Sequence, residues 1–235
     1  MDNISGKIVI ITGAGSGLGR EMAIAFAKEG ANVVLCGRRM AKLEETQKRI
    51  TVSSTAETLV LQADASIESD VKMVVQAAYG KFGKIDYLIN NAAVFQQDYV
   101  ADLSLESWHY QWSNNTTSVL LMMRECLPIM RAQKGGKIIN ITSGLAKEGA
   151  AGFAAYSASK AAVETLTYSV EEEESRNGII THVFNPGVMK TELQALGEDP
   201  SGIAPYIIEL AKSTIRSEKS ILSIDSFPLG NVQTI

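Results

Sequence analysis

Residues 7–29 read KIVIITGAGSGLGREMAIAFAKE, and this stretch decides the fold. Lys7 to Thr12 is a short apolar run bounded by glycine, with the length and β-branched content of a buried strand. Gly13-Ala14-Gly15-Ser16-Gly17-Leu18-Gly19 follows at once. Arg20 to Glu29 then continues as a proline-free helix with Met22, Ile24, Ala25, Phe26 and Ala27. Gly13 permits a sharp turn, Gly17 lets the backbone approach a pyrophosphate, and Gly19 lets the helix pack closely on the strand. The exposed N–H groups and positive helix end at Leu18, with Ser16 just before it, suit phosphates. The spacing is Gly-x-x-x-Gly-x-Gly. Alone, such a cluster marks a turn; between a strand and a helix it is the context a dinucleotide site demands.

Downstream the same alternation continues. Asn32 to Cys36 is a second strand that ends in Gly37-Arg38-Arg39. A carboxylate at this place would bond a ribose 2′-hydroxyl, whereas two guanidinium groups suit a 2′-phosphate. The alternative is that both arginines are solvated residues at a helix start. Residues 41–50 form a helix and 51–56 a polar turn. Thr58 to Gln62 is the third strand, leading to Asp64 and Ala65, with a helix over 67–79 capped by Ser66. Asp64 reads equally well as that turn's acceptor or as a contact to adenine. Ile85 to Ile89 is the fourth strand and ends in Asn90-Asn91-Ala92-Ala93. A loop from Phe95 leads to a long helix over 105–131, which Asn114 and Asn115 interrupt; an amide there can bend the axis or hold a water in a local break.

The fifth strand, Lys137 to Ile141, runs into Thr142-Ser143-Gly144-Leu145. The next helix carries Tyr156-Ser157-Ala158-Ser159-Lys160 and extends to about Glu174. A four-residue step puts Tyr156 and Lys160 on one face, and the strand brings Ser143 to the carboxyl edge of the sheet. A phenol with a free pKa near ~10 is a poor acid–base group at neutral pH, and a neighbouring ammonium brings it toward the working range. The alternative is a packed tyrosine beside a snorkelling lysine. The run Glu171 to Glu174 sits at a helix C-terminus, where the dipole disfavours carboxylates, and reads as a solvated face. Ile179 to Phe184 is the sixth strand and meets Asn185-Pro186-Gly187-Val188-Met189-Lys190-Thr191, a turn able to close over a flat ring. A helix over 204–213 and a last strand, Ile221 to Ile224, complete the pattern. Strands separated by helices imply right-handed βαβ units. The expected fold is α/β, a doubly wound Rossmann-type three-layer sandwich with a mostly parallel seven-stranded sheet, as one domain over residues 1–235.

Bulk properties narrow the function. The 235 residues carry a net charge of −4 and no Lys/Arg-rich block, which argues against a nucleic-acid partner. No stretch approaches a membrane span, and the N-terminal residues lack a secretion-signal pattern, so a cytoplasmic location is expected. Cys36 and Cys126 lie in apolar surroundings, and His109 and His182 are far apart, so no metal site is expected.

The chain resembles the classical short-chain dehydrogenase/reductase family over roughly residues 5–225. The motifs that carry the likeness are Thr12 to Gly19, Asn90-Asn91-Ala92-Ala93, Ser143 and the Tyr156/Lys160 pair. Asn115 past Trp108, Asp64, Arg38, and Pro186-Gly187 with Thr191 complete it. The resemblance implies an NADP(H)-dependent oxidoreductase that interconverts a carbonyl and an alcohol, with NAD as the alternative cofactor. Implied catalytic residues are Asn115, Ser143, Tyr156 and Lys160. Tyr156 would donate the proton, Ser143 steady the oxygen, Lys160 bind the nicotinamide ribose and tune the phenol, and Asn115 hold a water leading to Lys160. Implied cofactor contacts are Gly13, Ser16, Gly17, Leu18, Gly19, Arg38, Arg39, Asp64, Ala65, Asn91, Ala92, Pro186, Gly187, Val188 and Thr191, together with Tyr156 and Lys160. The family also implies a homotetramer or homodimer, with residues 120–123 and 161–163 offering surface. A non-enzymatic dinucleotide-binding module acting through a protein partner is the competing class.

The chain departs from the pattern in two places. Ala93 stands where the family keeps glycine. The segment that would cover the substrate, between residues 191 and 213, is short, and Asp225-Ser226-Phe227 replaces the usual Asp-Gly-Gly. Phe95, Leu145, Phe153 and Met189 are apolar and favour a partly apolar carbonyl over a sugar.

Overall fold

The computed structural model describes residues 3–189, 197–216 and 221–224. In chain order the elements are β1 (Ile8–Thr12), α1 (Gly17–Lys28), β2 (Asn32–Gly37), α2 (Met40–Ser53), β3 (Thr58–Gln62), α3 (Glu68–Phe82) and β4 (Tyr87–Asn90). Next come α4 (Leu105–Trp112), a π-helical turn (Ser113–Thr117), α5 (Ser118–Gln133), β5 (Gly136–Ile141), α6 (Leu145–Glu148) and α7 (Ala154–Glu174). A 3₁₀ turn (Ser175–Asn177), β6 (Ile179–Asn185), α8 (Pro200–Lys212) and β7 (Ile221–Ser223) follow.

The seven strands form one sheet in the order β3-β2-β1-β4-β5-β6-β7, and every strand pair is parallel. Alternation along β1 assigns its side chains to two cores. Val9 and Ile11 join Met22 and Phe26 of α1, Leu43 of α2 and Ile207 of α8 on one face. Ile8 and Ile10 join Val74 of α3, Met122 and Cys126 of α5 and Val163 of α7 on the other. Helices therefore cover both faces, as a parallel sheet requires. The chain leaves β3 at the edge and re-enters as β4 beside β1, so the strand order reverses there. A crevice opens at the carboxyl ends of β1 and β4.

Several expectations change in detail. The interruption expected at Asn114 and Asn115 in the helix over 105–131 is present and takes the form of the π-helical turn. Helix α3 starts at Glu68 with Ile67 as its N-cap, because Ser66 turns back to Asp64 instead of capping. The acidic run is a solvated face only at Glu172 and Glu173, which are exposed. Glu174 is fully buried, takes Nε of Arg131 at 2.8 Å and accepts from Asn177 Nδ2 at 2.8 Å. Glu171 accepts the Thr181 N–H at 2.6 Å and pairs with Arg216. Of the surface expected for self-association, Leu121, Met122, Met123 and Val163 are core, while Leu120 remains 44% exposed.

Helix α8 begins at Pro200, capped by Asp199, whose carboxylate accepts the Ser201 N–H at 2.8 Å. Its Ile203, Ile207 and Leu210 are buried in the same core as α1. The helix expected within the substrate cover is thus part of the sandwich. Thr191 and the tail from Asp225 lie outside the described residues. Among the described residues no helix is long and apolar enough to cross a membrane, and no metal-ligating cluster occurs.

Candidate functional site

The glycine loop leaves β1 at the centre of the crevice. Gly13 and Gly17 hold positive φ values of 67° and 52°, a region that strains other residues. Gly19 is set by contact instead: a Cβ there would lie 2.2 Å from the Gly13 carbonyl and 2.6 Å from Asn91 Nδ2. The loop is held from behind. Thr46 Oγ1 of α2 donates to the Ala14 carbonyl at 3.0 Å, and Arg20 Nη2 donates to the Gly15 carbonyl at 2.6 Å. Arg20 is itself fixed, with Nε on Thr46 at 3.2 Å and Nη1 on Glu45 at 3.0 Å. In a trans peptide the N–H points opposite to the C=O. The N–H groups of Gly15 and Ser16 therefore face away from α2, and the first turn of α1 carries no acidic residue.

Past β2, the two arginines take different directions. Arg39 Nη2 donates to Ser16 Oγ at 3.0 Å, beside the glycine loop. Arg38 hydrogen-bonds Tyr110 of α4, which holds its guanidinium above the ordinary pKa, and its Nη1 lies 3.9 Å from Asp64. Asp64 Oδ1 accepts from the N–H and the hydroxyl of Ser66 at 2.9 and 2.7 Å. The turn-acceptor reading of Asp64 is realised in the structure. Ala65 and Ser66 line the cleft next to it.

At the other end, Thr12 joins β1 to β4. Its hydroxyl accepts the N–H groups of Asn91 and Ala92 at 3.0 and 3.1 Å, and Asn91 Nδ2 donates to its carbonyl at 3.0 Å. These bonds satisfy open backbone where the sheet ends. Ser143, just beyond β5, and Tyr156 and Lys160 on α7 face the same cleft, with Pro186 and Gly187 after β6. Val188 is 63% exposed outside it. Asn115 is fully buried and does not reach the cleft. Its Oδ1 accepts the Val94 N–H at 2.8 Å, and its Nδ2 donates to the Val94 carbonyl at 2.9 Å and to Ser159 Oγ at 3.0 Å. This side chain fastens the loop after β4 to the helix bearing Tyr156 and Lys160.

Burial pushes the Tyr156 phenol above its ordinary value, and a hydrogen bond with Ser143 pulls it partly back. Lys160 is fully buried. Its Nζ donates to the Ile141 carbonyl at 2.9 Å and stands 6.0 Å from the Tyr156 ring centroid. Burial brings its pKa down to about 8, and Glu164 opposes that shift. Ser143 is thus the neighbour that draws the phenol's pKa down here. Phe95 packs edge-on to Tyr156 with centroids 6.0 Å apart, and Phe153 tilts against Phe95 at 5.7 Å.

The cleft measures about 700 Å³ and runs from Arg38 past the glycine loop to Ser143 and Pro186. It fits an extended dinucleotide. The loop's inward face has no side chain at Gly13 or Gly19, while Arg38, Arg39 and Lys42 gather at the β2 end and Lys160 stands at the other. Sequence reasoning missed Arg20, Thr46 and Glu164. An arginine directly after the glycine loop, at a helix position that faces the core, was the available signal for the first.

A sequence profile of the short chain dehydrogenase family matches residues 7–200. An uncharacterized oxidoreductase of Staphylococcus saprophyticus is 35% identical over 220 residues, covering 93% of this chain and 88% of that protein. One from Staphylococcus aureus is 32% identical over 215 residues, covering 88% and 92%. Among solved structures, a levodione reductase superposes with a TM-score of 0.89 at 26% identity, covering 94% of this chain and 97% of that one. A short-chain type dehydrogenase/reductase from Mycobacterium marinum gives 0.88 at 26% identity, covering 95% and 96%.

Proposed function

Since the chain belongs to the short chain dehydrogenase family, we propose that it is an NADP(H)-dependent oxidoreductase interconverting a carbonyl and an alcohol. In this reading residues 1–235 act as a single catalytic domain, with Tyr156 as general acid and base. The observation that carries it is the meeting of Ser143, Tyr156 and Lys160 in one cleft with the glycine loop and two arginines.

Gly13, Ser16, Gly17, Leu18 and Gly19 would hold the pyrophosphate, and Arg38 and Arg39 a 2′-phosphate. Asp64 and Ala65 would border the adenine, while Asn91, Ala92, Pro186 and Gly187 would border the nicotinamide, with Val188 contributing only through its backbone. When bound, the cofactor supplies or accepts the hydride at the carbonyl carbon. Tyr156 gives its proton to the carbonyl oxygen in reduction and takes it back in oxidation. Ser143 donates to the same oxygen and steadies the developing alkoxide. Lys160 contributes its positive charge behind the phenol and a donor for ribose hydroxyls. With its side chain committed to Val94 and Ser159, Asn115 would hold a relay water only through the backbone of the π-helical turn. Phe95 and Phe153 beside Tyr156 support a partly apolar carbonyl substrate, and the reductase among the similar solved structures supports the reductive direction.

Cofactor binding and turnover test the reading. NADP is expected to bind more tightly than NAD by at least about tenfold, or ~1.4 kcal/mol. Arg38→Ala should remove most of that margin with NAD affinity nearly intact. Equal dissociation constants would reject the NADP assignment. Binding with no oxidation of NADPH by acetophenone, cyclohexanone, benzaldehyde or linear ketones would favour a non-enzymatic module.

A further inference from the structure

We propose that Glu164 is a positioning residue for the Lys160 ammonium, its carboxylate anchored by Thr142 at the end of β5. The inference rests on the oxidoreductase reading above and names a residue that the family motifs do not include.

Two hydrogen bonds and one helical spacing carry it. Thr142 Oγ1 donates to Glu164 Oε1 at 2.6 Å. The residue before it, Ile141, presents the carbonyl that accepts Lys160 Nζ at 2.9 Å. Glu164 follows Lys160 by four positions on α7, so the two side chains share one face. The residue after Thr142 is Ser143. One short segment, 141–143, therefore grips the ammonium, the carboxylate and the candidate oxygen-binding hydroxyl together.

Among the described residues the charges around this cluster are few. Lys160 is faced by Glu164 and the Tyr156 ring, both on α7. Glu164 is faced by Lys160 and Tyr168 on α7, by Lys147 from α6, and by the Thr142 hydroxyl. A lysine that is fully buried with one carbonyl partner is costly to keep charged. Glu164 supplies the compensating negative charge, and it is only half-buried, so it remains able to ionise. Its own carboxyl is pushed up by burial and drawn back by the Thr142 hydrogen bond, Lys147 and Lys160. A purely structural role would need only the hydrogen bond to Thr142, for which glutamine serves almost as well as glutamate.

The titration of Lys160 separates the two roles, and it needs neither cofactor nor substrate. In the cofactor-free protein with isotopically labelled lysine, the Lys160 signal, assigned by its loss in Lys160→Met, is followed by NMR from pH 6 to 11. The parent midpoint is expected near the value of about 8. Glu164→Gln should lower it by about half a pH unit or more, since a neighbouring charge of opposite sign is gone. Thr142→Val should lower it by less, and Thr142→Ser should restore the parent value. If Glu164→Gln does not fold, the Thr142→Val and Thr142→Ser pair decides by the same criterion. A midpoint unchanged in folded Glu164→Gln, or in Thr142→Val when that variant stands in, overturns the proposal. In a parallel assay, the alkaline limb of kcat/KM for NADPH with acetophenone should move to lower pH in Glu164→Gln, and an unmoved limb in a variant that turns over also counts against the proposal. Absence of turnover in the parent would refute the oxidoreductase reading alone, because the titration still decides the role of Glu164.

Discussion

Arg20 Nη2 donates to the carbonyl of Gly15 at 2.6 Å, so the first turn of α1 holds the loop from which it emerges. Thr46 does the same for Ala14 from α2. Neither side chain contacts the cleft interior, but both fix which way the loop peptides point. Arg20→Met keeps most of the apolar stem and removes the donors. Affinity for NADPH and NADH should fall together, each by about tenfold, with their ratio unchanged. Calorimetric titration with both cofactors checks this. A loss confined to NADPH would reassign Arg20 to the 2′-phosphate.

Two glycines on helices should respond in opposite senses to alanine. At Gly19 the added Cβ meets the Gly13 carbonyl at 2.2 Å, and neither backbone can give way without moving the loop. Gly19→Ala should cost roughly 2–4 kcal/mol and abolish cofactor binding. Gly80, inside α3, has open space where the Cβ would go. Gly80→Ala should stabilise by roughly 0.5–1 kcal/mol. Thermal melts of both variants decide it, and a tolerated Gly19→Ala would mean the loop is less tightly set than described.

The fold was legible because its signals are local. The glycine loop sits between a strand and a helix, and the apolar runs are separated by amphipathic stretches, so order and class followed directly. Boundaries were less legible where a distant side chain competes for backbone groups. β4 starts at Tyr87 rather than Ile85, because Gln133 takes both the N–H and the carbonyl of Ile85, at 2.9 Å each. The start of α8 was readable in Asp199-Pro200-Ser201, an N-cap followed by a first-turn proline, and was missed. The partners of Glu171 and Glu174 come from Arg216, Thr181 and Arg131, more distant in sequence than local pattern reading reaches. In the site, the convergence of Ser143, Tyr156 and Lys160 was legible and their individual contacts were not. Asn115 is committed to Val94, and Lys160 to Ile141, through contacts that only the fold brings about.

Lys160 should weaken the cofactor-free protein at and below neutral pH. Burial lowers its folded-state pKa from 10.5 to about 8. Between those values the unfolded chain binds the extra proton, so stability rises with pH across that window. Below about 8 the cost is fully present, on the order of 3 kcal/mol. Lys160→Met should therefore be more stable than the parent at pH 7, and its advantage should shrink as pH rises toward 10.5. Urea unfolding at several pH values measures this. A constant difference across the window would contradict a charged, buried Lys160.

The central claim is that the Tyr156 hydroxyl moves the proton. Tyr156→Phe keeps the ring against Phe95 and removes only the oxygen that bonds Ser143. Among the described residues no other acid is placed to replace it, since a serine hydroxyl is too weak an acid and Lys160 is turned to Ile141. The decisive measurement is single-turnover oxidation of NADPH by a saturating carbonyl in parent and Tyr156→Phe, beside NADPH affinity for both. The account predicts a fall of at least about 10² in rate with affinity unchanged. A variant that keeps its rate within about tenfold of the parent, below the usual worth of a general acid, would contradict it.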